Sequence, residues 1–297
     1  MRVLPQSAAP RAAGRPREWM RPLARRLLFY VPIALFLLVT LAPIYWIVLS
    51  AFTPINELFT VPLSYIPRHP TFTNFRHVAQ IVPLAQESFN SALLASSSSF
   101  VSVMVSMLAA YAFARIRFPG SGFLLVGLLL SGLLPSIATI IPLFQMFQSL
   151  NLLDSLQGML ILLVNLLLPT SVWLLTSFIR QIPIELEEAA RVDGAAFLTI
   201  LRRIIIPVLR PVLATLFLIN FITAWDEFFI PLIFSRSSAT STLTLGLTQA
   251  AVDPQFQSVV WGNEAAMGLI IIVPVFILAI AFQKQIVEGL MAGALKG

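Results

Sequence analysis

Cysteine is absent from all 297 residues. That excludes a disulfide framework, a thiolate metal site and a cysteine nucleophile. Charge is nearly as scarce: Asp, Glu, Lys and Arg make up 11% of the chain, against about a quarter in soluble domains. With 58% hydrophobic residues, too little polar surface is left for a soluble domain, and an integral membrane protein is the class that remains. Only two lysines occur, Lys284 and Lys296, and neither follows a glycine. A G-x-x-x-x-G-K-[ST] phosphate loop therefore cannot be built, so ATP hydrolysis that drives this chain must happen on another. No nucleophile–base pair stands in a supporting context, and the chain is expected not to be an enzyme. His69 and His77 are the only histidines; both read as solvated loop residues, and no metal site is expected.

What the chain does have is apolar runs long enough to span a bilayer, since about 20 apolar residues cross the hydrocarbon. Six are expected: 27–52, 88–114, 123–147, 156–178, 211–234 and 265–282. Pro135 and Pro142 are expected to kink the third, and the fourth carries Asn165 and Pro169 at depth. The serine run 96–99 in the second is the mark of a close helix–helix contact. The fold class predicted is all-α, a polytopic six-helix bundle. Residues 1–26 form a flexible, arginine-rich tail, 27–288 the membrane domain and 289–297 a second tail. The formal charge is +6. Its basic residues flank apolar runs, which is the topology signal of a protein in lipid rather than a nucleic-acid patch. Only Arg68, Arg76 and Arg236 fall in the connections expected outside, so both termini and the loop 181–207 are placed in the cytoplasm.

That loop is the longest mixed-charge segment. Pro183 suits the start of a helix, and Glu185, Glu187 and Glu188 suit its positive N-terminal end. Arg191 lies within reach of Glu187 and Glu188 as a weak surface pair. Ala189 and Ala190 give a small-residue face, and Gly194 suits a left-handed helix end. A second helical pattern puts Phe197, Leu201, Ile204 and Ile205 on one side, with Pro207 and Pro211 expected to end or kink it.

The order Glu188-Ala189-Ala190, Gly194, Ile204, Ile206, Pro207 resembles the EAA loop of ABC importer permeases; Ile206 stands where leucine is usual there. Segments 63–75, 110–120 and 283–297 resemble sugar-type members of that family. The resemblance implies a coupling helix, with Glu188, Ala189, Ala190, Asp193, Gly194, Ile204 and Pro207 as the ATPase-coupling residues. It further implies a second, homologous permease, two ATPase subunits that bind ATP and Mg, and an extracytoplasmic substrate-binding protein. No cofactor is expected on this chain. The function implied is alternating-access import of a sugar or sugar-like solute.

In the fifth span, 221–232 resembles a sugar-type permease segment in which Asn is usual at the position of Asp226. Asp226 and Glu227 are expensive in hydrocarbon and should face protein or a water-filled cavity. Counted from Pro211, Asn220 falls about 14 Å into the bilayer and Trp225 and Asp226 about 21–23 Å. Asn220, Thr223 and Glu227 share one face at helical spacing. Asn220, Thr223, Trp225, Asp226 and Glu227 are therefore the candidates for the translocation pathway. The alternative is an ion-coupled secondary transporter that uses Asp226 and Glu227, for which inverted repeats with matching broken helices are expected.

Overall fold

The computed structural model describes residues 20–62, 64–133, 136–251 and 260–285. The tail 1–19, the Pro135 kink, residues 252–259 of the loop after the fifth span and the whole of 286–297 lie outside the described residues. Among the described residues there are helices, turns and loops and no strand.

The chain opens with α1 (Met20–Phe52), already helical over backbone assigned to the tail from sequence. The short α2 (Ile55–Leu58) and α3 (Thr73–Ile81) follow, then α4 (Leu84–Arg115). The third expected span is discontinuous: α5 (Ser121–Ser131) and α6 (Ser136–Ser149) replace one helix by two. Pro142 lies inside α6, whose helix continues past it. Next come α7 (Leu156–Gln181), α8 (Glu185–Val192) and α9 (Phe197–Ile200). A π turn, Leu201–Ile205, leads without a break into α10 (Ile206–Trp225). The helices α11 (Phe229–Phe234), α12 (Leu243–Ala251) and α13 (Trp261–Ala281) complete the described fold.

Of the end or kink expected at Pro207 and Pro211, the end does not occur: the helix runs on past both. Pro207 stands in the first turn of α10, just after Ile206 N–H has bonded to the carbonyl of Leu201 five residues back. Such π turns re-register backbone hydrogen bonds inside a helix, and here the change falls where Pro207 has no N–H to give. The fifth span therefore runs Phe197–Trp225, and depths counted from Pro211 shift accordingly.

Among the described residues five helices are long and apolar enough to cross a membrane, and α5 adds a shorter apolar piece. The most extensive packing joins α4 to α7, then α10 to α4 and α1 to α13. Small residues suit the first of these: Ala95, Ser98, Ser102 and Ser106 of α4 are buried, and Ser102 Oγ lies 3.4 Å from Ser171 Oγ of α7, as expected where backbones come close in a membrane bundle. One core cluster, around Val103, Met107, Leu175, Ile179 and Ile205, lies at the end that carries α8. The other, around Val82, Phe147, Met159, Trp225 and Met267, lies toward α12. Large apolar side chains are exposed along α1, α5 and α13, a surface suited to hydrocarbon.

At the α12 end the connections are tied down by buried polar groups. Asn74 Nδ2 donates to the carbonyls of Ala51 and Thr53 at 2.9 and 3.0 Å. Asn90 Nδ2 donates to those of Ala239 and Ser241 at 3.0 and 2.8 Å. Ser91 Oγ accepts from Leu243 N at 2.9 Å. Glu87, assigned to a loop from sequence, belongs to α4 and is fully buried; its Oε1 accepts from the Ser241 hydroxyl at 2.7 Å.

Candidate functional site

Two regions hold the residues singled out from sequence: the segment around α8 and the break after α10.

In the first, Ile182 adopts an extended conformation and ends α7, so the chain turns before α8 begins. Glu185, Glu187 and Glu188 occupy the first turn of α8 and Arg191 the last, the arrangement the macrodipole favours. Gly194 has φ +81°. Ala195 N–H reaches the carbonyl of Ala190 at 2.9 Å and Gly194 N–H that of Arg191 at 3.0 Å, which is the paired bonding of a Schellman helix end. A side chain there would meet open space, so the conformation alone calls for glycine. Glu188, Ala189, Asp193 and Gly194 are exposed, while Ala190 and Ile204 pack partly against the α8-end core. Pro207 is half-buried in the first turn of α10. Exposed apolar side chains stand beside the polar face: Ile184, Leu186, Val192, Phe197 and Leu198.

The acidic residue that faces inward is Glu187, which the sequence offered only as a weak partner of Arg191. It is 0% exposed, and its carboxylate accepts from the Tyr111 hydroxyl at 2.7 Å and from Arg115 Nε at 2.6 Å. Arg191 stands 3.8 Å away. The available signal was the spacing of Tyr111 and Arg115, four apart on one face of a span.

The second region departs further from expectation. Asn220 is buried between helices, donating to Ser171 Oγ at 3.0 Å and to Ser102 Oγ at 3.4 Å. It thus joins α10 to α7 and α4. Trp225 is buried too: its ring stacks on Phe221 with centroids 5.7 Å apart, and Nε1 donates to the Ile271 carbonyl at 3.2 Å. Thr223 is exposed and returns its hydroxyl to the Ile219 carbonyl at 2.9 Å. Because α10 stops at Trp225, Glu227 leaves the stripe it was expected to share with Asn220 and Thr223. Asp226 caps the helix and is exposed. Glu227 Oε1 instead accepts from the N–H groups of Phe229 and Ile230 at 2.9 and 3.1 Å, at the start of α11.

Glu227 also lines a cavity of about 500 Å³ with Asn165, Thr139, Leu143, Pro169 and Phe229. Its walls come from α5, α6, α7 and α11, and the break between α5 and α6 opens onto it at Gly132. Asn165, noted from sequence only as a polar residue at depth, is its amide. Broken helices of this kind are tolerated at membrane depth where they line a cavity or are buried in protein. Among the described residues no group of acidic residues and histidines is placed to hold a metal ion.

A bundle of apolar spans with a broken third helix, a cavity at the break and an exposed amphipathic helix defines a membrane permease. Residues 102–291 match the family described as binding-protein-dependent transport system inner membrane component. The chain is 32% identical to the sulfoquinovosyl glycerol transport system permease protein SmoH of Agrobacterium fabrum, over 90% of this chain and 93% of that protein. It is 31% identical to the trehalose transport system permease protein SugB of Mycobacterium tuberculosis, over 86% of this chain and 93% of that one. A chain of a bacterial ABC transporter involved in the import of the acidic polysaccharide alginate superposes with a TM-score of 0.74 at 22% identity, over 92% of this chain and 99% of that chain. The chain belongs to the family of binding-protein-dependent transport system inner membrane components and is an inner-membrane permease subunit of an ABC importer. Such subunits are not enzymes themselves and work with an ATPase and a substrate-binding protein. The ion-coupled alternative gives way to this membership.

Proposed function

We propose that the chain imports a sugar or sugar-like solute by alternating access, as one of two homologous permeases that sit on two ATPase subunits. ATP and Mg are bound by those ATPases, the binding protein delivers solute from the extracytoplasmic side, and both termini lie in the cytoplasm. The observation that carries this reading is α8. It stands on the bundle with Glu188, Ala189, Asp193 and Gly194 exposed beside uncovered Leu186 and Val192. That is a mixed apolar and charged face of the kind a soluble partner covers. Ala190, Ile204 and Pro207 anchor the same segment to the bundle. The solute class is supported by the solutes for which the two relatives are named, sulfoquinovosyl glycerol and trehalose.

The pathway runs past Glu227, whose carboxylate and the Asn165 amide supply hydrogen-bonding groups in the cavity. Asn220 and Trp225 are held in contacts between helices, and Thr223 and Asp226 are exposed at the end of α10; none of the four lines that cavity. Reconstituted with its ATPase, second permease and binding protein, the complex is expected to accumulate the sugar that raises the melting temperature of the binding protein, and only with ATP. Accumulation driven by an ion gradient with no ATPase present would refute the reading. Glu227→Gln is expected to alter the rate or choice of solute in an intact complex; wild-type transport would remove Glu227 from the pathway.

A further inference from the structure

Tyr111 and Arg115 lie one turn apart at the end of α4, and both reach one carboxylate on α8. The Tyr111 hydroxyl donates to Glu187 Oε2 at 2.7 Å and Arg115 Nε to Oε1 at 2.6 Å. The other arm of Arg115 donates from Nη2 to the Ile182 carbonyl at 2.7 Å, at the turn between α7 and α8. The Tyr111 ring meets the edge of Phe197, the first residue of α9, with centroids 5.1 Å apart. Arg191 Nη2 closes the group at 3.4 Å from the Tyr111 hydroxyl. Two side chains of α4 thus hold α8, the turn before it and the helix after it.

The covalent joints of α8 are poor levers. On one side is the extended Ile182, on the other Gly194 at φ +81°. A helix hung on two bends swivels unless something else fixes its angle. Here the fixing group is charged, fully buried on the Glu187 side and 9% exposed on the Arg115 side chain. Charge-assisted hydrogen bonds of this kind are short and directional. The helix that donates them, α4, is also the one packed most extensively on α7 and α10.

We infer that Glu187 is a positioning residue for transport: its carboxylate clamps α8 to α4, so that a displacement of α8 reaches the bundle instead of being taken up by the two bends. This rests on the reading of α8 as the face that meets the ATPase. Glu187→Gln keeps the side-chain volume and removes the charge that holds Arg115. In the assembled importer in proteoliposomes, solute moved per ATP hydrolysed is expected to fall about tenfold, the size of an ordinary coupling free energy, while ATP turnover persists. Tyr111→Phe deletes one hydroxyl and keeps the ring on Phe197; it is expected to lower the same ratio by less. A wild-type ratio in Glu187→Gln overturns the inference. If that variant does not assemble, Tyr111→Phe decides, and a wild-type ratio there overturns it. Glu188→Lys, on the exposed face, separates the two readings. A wild-type ratio in Glu188→Lys means α8 is not the ATPase-facing element. A lowered ratio in Glu188→Lys beside a wild-type ratio in Glu187→Gln removes the clamp alone.

Discussion

The two ends of the bundle are held by opposite strategies. At the α12 end the ties are spread over Asn74, Glu87, Asn90, Ser91 and Asp154, four of them on residues 236–243 and Asn74 on residues 51–53. Most of them are amides or hydroxyls bonded to backbone. At the α8 end one carboxylate collects Tyr111, Arg115 and Arg191. Spreading bonds over many neutral groups makes a region insensitive to the loss of any one, since each contributes only about 0.5–1.5 kcal/mol. Concentrating them on a buried charge makes every partner matter, because removing one leaves the charge stranded. On the function proposed above, the first suits a part that keeps its shape while solute is delivered, and the second a part that transmits motion.

The sharpest way to break that contrast is Arg115→Ala. It leaves Glu187 buried with the Tyr111 hydroxyl and, as a cation, only the more distant Arg191, and about 3–5 kcal/mol of stability is expected to go. Thermal melting of the detergent-solubilised complex measures it, and a shift no larger than that of a surface substitution would mean the α8 end is not concentrated on one charge. Gly194→Val comes next. Its Cβ meets no atom, so the penalty is conformational, on the order of 1–3 kcal/mol for a β-branched residue held at positive φ. The chain is expected to insert normally, and its complex to hydrolyse ATP with little uptake; normal uptake at normal abundance would argue that the bend is not needed. Asn90→Ala probes the other end. It strands the carbonyls of Ala239 and Ser241, at about 1–3 kcal/mol. Its melting temperature should fall while solute per ATP stays at the wild-type value, and a fall in that ratio would erase the distinction between the ends.

The smallest effect is expected from acid. Asp154 Oδ1 accepts from the Thr240 hydroxyl and, at 2.9 and 3.1 Å, from Arg236 N and Ser237 N. The Thr240 bond, followed by the Arg236 N–H, holds the carboxyl down to about 2. With its folded pKa below the unfolded one, Asp154 contributes fully above about pH 4, and the contribution fades as pH falls through about 2. Proteolysis within 236–240 should therefore rise over that window in the wild type. Asp154→Asn should show the higher rate already at neutral pH. An Asp154→Asn profile identical to wild type would remove Asp154 from the set of ties.

Much of this was legible in the sequence because it is set locally. Apolar length gave the spans, and the α8 boundaries followed from acidic residues at the start and a glycine at the end. Gly194 takes the left-handed conformation its place after Val192 required. What local pattern could not choose was which acid turns inward. Glu187 and Glu188 are neighbours of the same chemistry, and burial went to Glu187 because Tyr111 and Arg115, 76 and 72 residues away, meet that side of the helix. The same limit explains Asn220 and Trp225. Their types suited a sugar pathway, but the face of α10 that carries them packs on α4, α7 and α13. The cavity passed instead to Glu227, at a break after α10 that helical spacing carried straight through. In the third span the helix breaks between Ser131 and Ser136, beside Pro135, one of the two prolines expected to kink it, while Pro142 is accommodated within α6.

The π turn at Leu201–Ile205 alters how the α9–α10 segment is to be counted. A π turn is one residue inserted into an α-helix, so the helix beyond it keeps the phase of a helix one residue shorter. Ile200 before it, Leu201 at its start and Leu209, Val212 and Leu216 after it all face the core on that shortened count. Deleting one of the five residues would restore an ordinary α turn and leave both flanks in phase. Deleting one residue further along α10 would rotate everything beyond it by about 100°, carrying Asn220 and Trp225 out of their contacts.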